Sequence, residues 1–269
     1  MAFRFVHTAD IHLDSPLRTL ALREPELAGL IGGATRKAFS AIIDLCLSEQ
    51  VDALLISGDL YDGEQTSMKT ARFLADQLRR LHEAGIQAFI IRGNHDAESR
   101  ITRELTLPES VKLFSGRAEA VVLSRGALDV AVHGISFAQK HAPETLLPKF
   151  RPPHDGAVNL GMMHTSLGGS PAHDAYAPSA PAELHRHGFD YWALGHIHQR
   201  FEERGRVTIV MPGNPQGRDI NEAGPKSATL ATIGDDRAIT LEERGTSIAE
   251  FQRVRVDLAG VEDWRGALK

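Results

Sequence analysis

At five places the chain runs through a strand-forming segment and stops abruptly in a loop or side chain of glycine, aspartate, asparagine or histidine chemistry. Phe3–His7 leads into Thr8-Ala9-Asp10-Ile11-His12, Ala53–Ile56 into Ser57-Gly58-Asp59, and Ala88–Ile91 into Arg92-Gly93-Asn94-His95-Asp96. Further along, Val158–Met163 ends at His164, and Tyr191–Leu194 ends at Gly195-His196-Ile197-His198. Between the first three runs lie helical patterns: residues 34–50, with Phe39, Ile42, Ile43, Leu45 and Leu47 on one face, and residues 68–84, closed by Gly85. Strands alternating with helices specify a largely parallel sheet, and such sheets gather ligands at the carboxyl ends of their strands. The polar loops are therefore expected on one edge.

Beyond about residue 105 the runs shorten to segments such as Ala120–Leu123 and Leu128–Val132, with a proline-rich loop at 143–153, and these predict a second sheet. A length of 269 residues accommodates one large α/β domain, or a domain with a small appendage. The single cysteine, Cys46, lies in the apolar run 41–47, which leaves neither a disulfide nor a cysteine metal site and assigns it to the core. The N-terminus reaches polar His7 too early for a signal peptide, and no stretch approaches the roughly 18 apolar residues of a membrane span. A cytoplasmic protein without membrane contact is expected. The net charge of -5 argues only weakly against an anionic substrate, because two bound divalent cations offset about four negative charges.

Collected together, the strand-end residues form a set of carboxylates, imidazoles and one amide oxygen. Without thiolates and rich in histidine, the set suits manganese, iron or zinc better than calcium or magnesium. The pairs Asp10-x-His12 and His196-x-His198 can aim both side chains at one point if the backbone turns, and Gly58, Gly93 and Gly195 permit turning and close approach. A carboxylate such as Asp59, leaving a central strand, can bridge two ions about 3.5–4 Å apart. Two such ions both activate water and neutralise phosphoryl oxygens, which is what hydrolysis of an anionic phosphate ester demands.

In this order, D-x-H, G-D, G-N-H-D, H and G-H-x-H, the chain resembles the calcineurin-like metallophosphoesterases over residues 10 to 198. The resemblance implies a four-layer α/β/β/α sandwich of two mixed sheets flanked by helices. It implies two divalent metal ions, manganese foremost with iron or zinc as alternatives. Asp10, His12, Asp59 and His198 would hold the first, and Asp59, Asn94, His164 and His196 the second. His95 would be the catalytic residue outside the ligand set, stabilising the transition state or protonating the leaving alkoxide, with Asp96 orienting its ring.

Within that superfamily, Phe5–Leu17, Gly58–Glu64 and Met211-Pro212-Gly213-Asn214-Pro215-Gln216-Gly217-Arg218 resemble the SbcD-like DNA repair exonucleases, in particular their YhaO-type branch. That similarity implies a metal-dependent DNA exonuclease with scope for endonuclease activity, DNA as substrate, an SbcC-type coiled-coil ATPase as partner, and room for a homodimer. The alternative is a phosphodiesterase or phosphatase acting on a small nucleotide. Residues 1–245 are expected to form the catalytic domain, with 246–269 a linker and the start of a C-terminal capping domain.

Other polar residues carry plainer expectations. His7, His82, His133, His141, His154, His173, His185 and His187 are assigned to the surface or to satisfied core positions, and Asp14 and Asp62 to local loop hydrogen bonds. Arg18, Arg23, Arg36, Lys37, Arg100 and Arg103 are read as solvated or ion-paired, Trp192 and Trp264 as packing residues. For Arg218 a phosphate contact and an ion pair are equally open.

Overall fold

The computed structural model describes residues 2–15, 32–62, 67–97, 106–168 and 176–259. Arg18, Arg23, Arg100, Arg103, His173 and Trp264 lie outside them. The first sheet contains β1 (Phe3–Thr8), β2 (Ala53–Ser57), β3 (Gln87–Ile91), β4 (Val111–Leu113), β11 (Ser227–Ile233) and β12 (Ile239–Gly245). Their order is β12-β11-β1-β2-β3-β4, with β1 through β4 parallel and β11 and β12 antiparallel. The second sheet is ordered β5-β6-β7-β8-β10-β9, from Glu119–Arg125, Leu128–Gly134, Val158–His164, Tyr191–Gly195, Thr208–Met211 and Phe201–Glu203. Its centre is parallel and its edge strands β5 and β9 are antiparallel, so both sheets are mixed.

Period-two alternation assigns each strand residue to a layer. Ala53 and Leu55 of β2 face the second sheet, in a core with Phe5, Phe89, Leu160 and Tyr191, whereas Leu54 and Ile56 face outward. That outer face is covered by α1 (Ala34–Ser48) and α2 (Met68–Glu83), which contribute Phe39, Ile42, Cys46, Leu74 and Leu78. Both strand faces are buried, which is why β2 and β3 read as unbroken apolar runs. On the far side of the second sheet, Met163, Trp192 and Leu194 pack beneath Leu184 of α3 (Pro181–His187) and loop residues Leu147 and Phe150. The four layers are thus present, with the last helical layer reduced to one short helix and its loops. Among the described residues no helix is long and apolar enough to cross a membrane.

The chain after β12 does not leave the fold at once. Thr246 donates its backbone N–H to Lys226, and the Gln216 side chain holds the following turn through the Ile248 amide (2.8 Å) and the Ala249 carbonyl (2.7 Å). Beyond Phe251 the described residues run irregular and exposed, Val254 at 79% and Val256 at 69%.

His7 staples the two sheets beneath the polar edge. It is fully buried, with Nδ1 3.0 Å from the Tyr191 hydroxyl and Nε2 3.1 Å from the Leu194 carbonyl. Burial lowers its pKa from 6.5 to about 3, so it is neutral in the fold. As pH falls through 6.5 the unfolded chain takes up a proton that the folded chain refuses. Stability should drop by up to about 1.4 kcal/mol per pH unit on this account, towards pH 3. Urea midpoints at several pH values should show that His7→Gln lowers stability at pH 7 but flattens its dependence between pH 6.5 and 4. An unchanged slope would count against the assignment.

Candidate metal centre

The sequence-predicted residues meet where the carboxyl ends of β1, β2, β3, β7 and β8 come together. Asp10 and His12 follow β1, Asp59 follows β2, Asn94 follows β3, His164 ends β7, and His196 and His198 follow β8. The turning expected of nearby glycines is carried largely by the candidate ligands themselves. Asp10 (φ 52), His12 (φ 45), Asp59 (φ 53) and His196 (φ 103) all occupy the left-handed region. Non-glycine residues hold such conformations at a cost on the order of 1–3 kcal/mol each, only where the surroundings dictate them. Here those surroundings are loop-to-loop bonds: Asp10 N to the Gly58 carbonyl, His12 N to the Asp59 carbonyl and Leu13 N to the Leu60 carbonyl, at 2.8–3.0 Å.

Among the described residues one metal-sized group comprises His12, Asp62 and His95, and two more are formed by Asp10 with His12 and His198 and by Asp10 with Asp59 and His164. Asp10 is common to the last two. Asp59 also reaches across, with Oδ2 3.4 Å from His164 Nε2 and 3.9 Å from His12 Nε2. Asn94 Oδ1 lies 3.1 Å from His164 Nε2, and the His196 ring stands 5.1 Å, centroid to centroid, from that of His164. Burial disfavours the Asp59 carboxylate's charge, yet the His164, His12 and His95 rings outweigh it and hold the group below the usual range. For His164 burial is likewise outweighed, here by Asp59 and Asp10, and its pKa rises to about 9. His196 is lowered to about 4 by burial and the neighbouring His164 charge.

The tautomers of His12 and His198 follow from their outer partners. His12 Nδ1 lies 2.7 Å from Asp62 Oδ1, and His198 Nδ1 lies 2.6 Å from Glu222 Oε1, so each Nδ1 carries the proton that its carboxylate accepts. Each Nε2 is then a lone pair, and the two face each other at 3.2 Å. Such a pairing repels unless a proton or a metal cation lies between. Donor type, tautomer and convergence all fit a divalent ion.

Asp62 and Glu222 are themselves joined by Arg218. Its guanidinium donates to Glu222 Oε1 at 2.8 Å and lies 3.5 Å from Asp62 Oδ1. Asn214 Nδ2 donates to the other Glu222 oxygen at 2.9 Å. For Arg218 the ion-pair reading is therefore the one realised. Asp62 is more than a loop residue, whereas Asp14 pairs with Arg36 and Thr70. Glu222 was not singled out by the sequence: its only signal is its position four residues after Arg218 in the loop that follows β10.

Asp96 requires a correction. Its buried carboxylate accepts from the backbone N–H groups of Leu60, Tyr61 and Gly93, tying the Asp59 loop to the Asn94 loop. Burial and repulsion by Asp59 raise its pKa to about 7. The carboxylate facing the His95 ring belongs instead to Asp62, 3.9 Å from Nδ1. His95 itself is partly exposed, 39% at the side chain, and its backbone N–H donates to Asp59 Oδ1 at 3.0 Å. Of the other described histidines, His133 bonds Asn159, His82 lies by Ser110, His185 by Glu203 and His187 against Phe189, while His141 stacks on Tyr176, whose ring lies 5.2 Å from that of His196.

Comparison with known proteins places this geometry in context. Residues 3–200 match the family described as calcineurin-like phosphoesterase. The chain is 34% identical over 232 residues to the uncharacterized metallophosphoesterase YhaO of Bacillus subtilis, covering 85% of this chain and 57% of that protein. It is 28% identical over 208 residues to the DNA double-strand break repair protein Mre11 of Methanocaldococcus jannaschii, covering 74% and 52%. The chain thus spans about half the length of the curated relatives it matches. Among solved structures, a dimetal phosphatase from Danio rerio aligns with TM-score 0.51 at 14% identity, over 91% of this chain and 96% of that one. TT1561 of Thermus thermophilus aligns with TM-score 0.50 at 15% identity, over 90% and 99%. At such identities the structural likeness speaks for the fold alone.

Two outcomes are expected of manganese titrations followed by calorimetry. Asp62→Asn and Glu222→Gln should each weaken binding about 10–100-fold while leaving far-ultraviolet circular dichroism unchanged, because they disturb ligand orientation and not the core. A Cβ on Gly93 would lie 2.2 Å from Asp59 Oδ1 and 2.7 Å from His164 Nε2, whereas one on Gly33 meets nothing within 4 Å. Gly93→Ala should therefore lose manganese affinity more than about tenfold, with Gly33→Ala as the neutral comparison. Wild-type affinity in Gly93→Ala would show that these side chains are not the ligands.

Proposed function

We propose that this chain, which belongs to the calcineurin-like phosphoesterase family, is a two-metal phosphodiesterase that cuts DNA, acting as an exonuclease in DNA repair. The observation that carries the hydrolytic part is the convergence of the His12 and His198 lone pairs beside Asp10 and Asp59. The family binds two divalent metal ions, and manganese is the ion we favour. Asp10, His12, Asp59 and His198 would hold one, and Asp59, Asn94, His164 and His196 the other, with Asp10 near both. Bound there, the ions would acidify water and neutralise the phosphoryl oxygens. The DNA part is supported by the relatives named as DNA double-strand break repair proteins.

The chain's own residues supply the rest. His95 stands at the exposed rim of the site, beside Asp59 and with its ring 5.1 Å from that of His12. We assign it the proton given to the leaving alkoxide, with Asp62 in place of Asp96 setting its ring. Asp59 anchors the His95 backbone, so the residue that reaches both metal groups also fixes the acid. Arg218 neutralises Asp62 and Glu222, leaving the inner carboxylates to the cations. Residues 1–245 form the catalytic domain in this reading, and 246–269 lead towards a capping domain. An SbcC-type ATPase is the partner the resemblance suggests.

Manganese-loaded protein should degrade end-labelled linear duplex, and Asp59→Asn should not. His95→Ala should lower turnover about 10²–10⁴-fold while keeping manganese affinity within about twofold. Turnover of cyclic nucleotides or a chromogenic diester with intact DNA, compared in the full-length chain, would favour the small-nucleotide reading. A His95→Ala protein that loses its metals would overturn the assignment of that ring.

A further inference from the structure

A hollow of about 290 Å³ opens beside His198 on the metal-bearing edge, bounded also by Gln199, Asn221, Lys226 and Arg253. Its place follows from register. β11 begins at Ser227 and runs antiparallel to β1, with Thr229 opposite His7, so Lys226 stands at the carboxyl end of β1. Asp10 and His12 leave β1 at that same end.

Lys226 is only 9% exposed, yet among the described residues its ammonium makes one hydrogen bond, to the His198 carbonyl at 3.4 Å. An ammonium carries three donors and is costly to bury unpaired. The carboxylate bounding the hollow, Glu222, is already taken by His198, Arg218 and Asn214. Arg253 adds a second cation, poised by bonds to the Ile220 carbonyl (3.3 Å) and Asn221 Oδ1 (3.2 Å). Two cations line a polar hollow beside the centre, and the deeper one, Lys226, meets the charge of Glu222, a carboxylate that already serves His198, Arg218 and Asn214.

We propose that this hollow binds the phosphate next to the one being hydrolysed, so that Lys226 and Arg253 select a polynucleotide strand over an isolated diester. The inference rests on the phosphodiesterase reading and adds to it a subsite for a second phosphate of the strand. A small diester has no second phosphate to place there. A strand has one on every nucleotide, and an electrostatic contact that tracks the backbone is the general means of holding single strands without regard to sequence. The Gln216 bonds to Ile248 and Ala249 hold the approach to Arg253, so both cations are set by the same loop that supports His198.

The test compares binding with turnover. Fluorescence anisotropy of a labelled oligothymidylate would be measured on manganese-loaded His95→Ala protein, which keeps the strand uncut, with and without K226M and R253A. Each substitution should weaken binding about fivefold to tenfold and make the slope of log affinity against log salt shallower by about 0.7, the value for one lost single-strand phosphate contact. K226R should restore both. With His95 present, the loss of kcat/KM on the oligonucleotide should exceed that on bis(p-nitrophenyl) phosphate about tenfold. Equal losses on the two substrates would mean that Lys226 merely braces His198, and an unchanged salt slope in both variants would likewise overturn the proposal. If the strand binds with the Lys226-dependent slope but wild-type protein leaves it intact, the subsite stands and the nuclease reading falls. If the diester is cleaved and strand binding ignores Lys226 and Arg253, the phosphoesterase stands and the subsite falls.

Discussion

The strand-end edge is organised around two carboxylates that are almost wholly buried, Asp10 at 1% and Asp59 at 2% exposure. A buried carboxylate is stable only when its charge is answered by hydrogen bonds and opposite charge. Backbone amides answer part of it, His196 N to Asp10 and His95 N to Asp59. Imidazoles answer more, and the strain of four left-handed backbones is the cost of bringing them there. With Asp62 and Glu222 just outside, four carboxylates surround a space in which Arg218 is the guanidinium touching the outer pair. His164 holds its proton more tightly in this negative field, and Asp96 does so through burial first and repulsion by Asp59 second. The excess is of the sign and size that divalent cations would cancel.

Much of this was legible in the sequence because strand periodicity and strand-end chemistry are local. An unbroken run such as Ala53–Ile56 states that both faces are covered, and the loop after it must then lie at the sheet's edge. Reading down the chain from Asp10 to His198 therefore names the residues that the fold brings together. Order along the chain does not state which carboxylate meets which ring. Asp96 follows His95 directly, and adjacency suggested a pair, but consecutive side chains in a turn diverge. Asp96 turns inward to three backbone donors, and Asp62, thirty-odd positions earlier, supplies the carboxylate near the ring. Glu222 was illegible for the same reason: its partner His198 lies twenty-four positions away across a loop.

The glycines divide the labour with the strained candidate ligands. Gly58, Gly93 and Gly195 leave no Cβ where His164 and its neighbours need room: a Cβ on Gly195 would lie 2.1 Å from the Ser57 carbonyl. Gly93 and Gly195 make space, the left-handed residues make direction, and Gly58 (φ 94) does both. This separation explains why the two roles cannot be exchanged along the D-x-H and G-N-H-D loops: glycine at Asp10 would relax the backbone but remove a candidate ligand, and any side chain at Gly93 would occupy the position of one.

The segment after β12 is tied to the site through the loop that follows β10. Sheet membership ends at Gly245, but the site does not. Gln216, in the loop that also carries Asn214 and Arg218, bonds the chain at Ile248 and Ala249, and Gly224 N donates to the Phe251 carbonyl. Asn214 in turn bonds Glu222, which sets His198. A continuous path of hydrogen bonds thus runs from the segment after β12 to a metal-facing imidazole. Because buried polar networks tolerate few partial arrangements, moving residues 248–251 must either break the Gln216 bonds or carry the loop with them. Either way the disturbance reaches Glu222 and then His198.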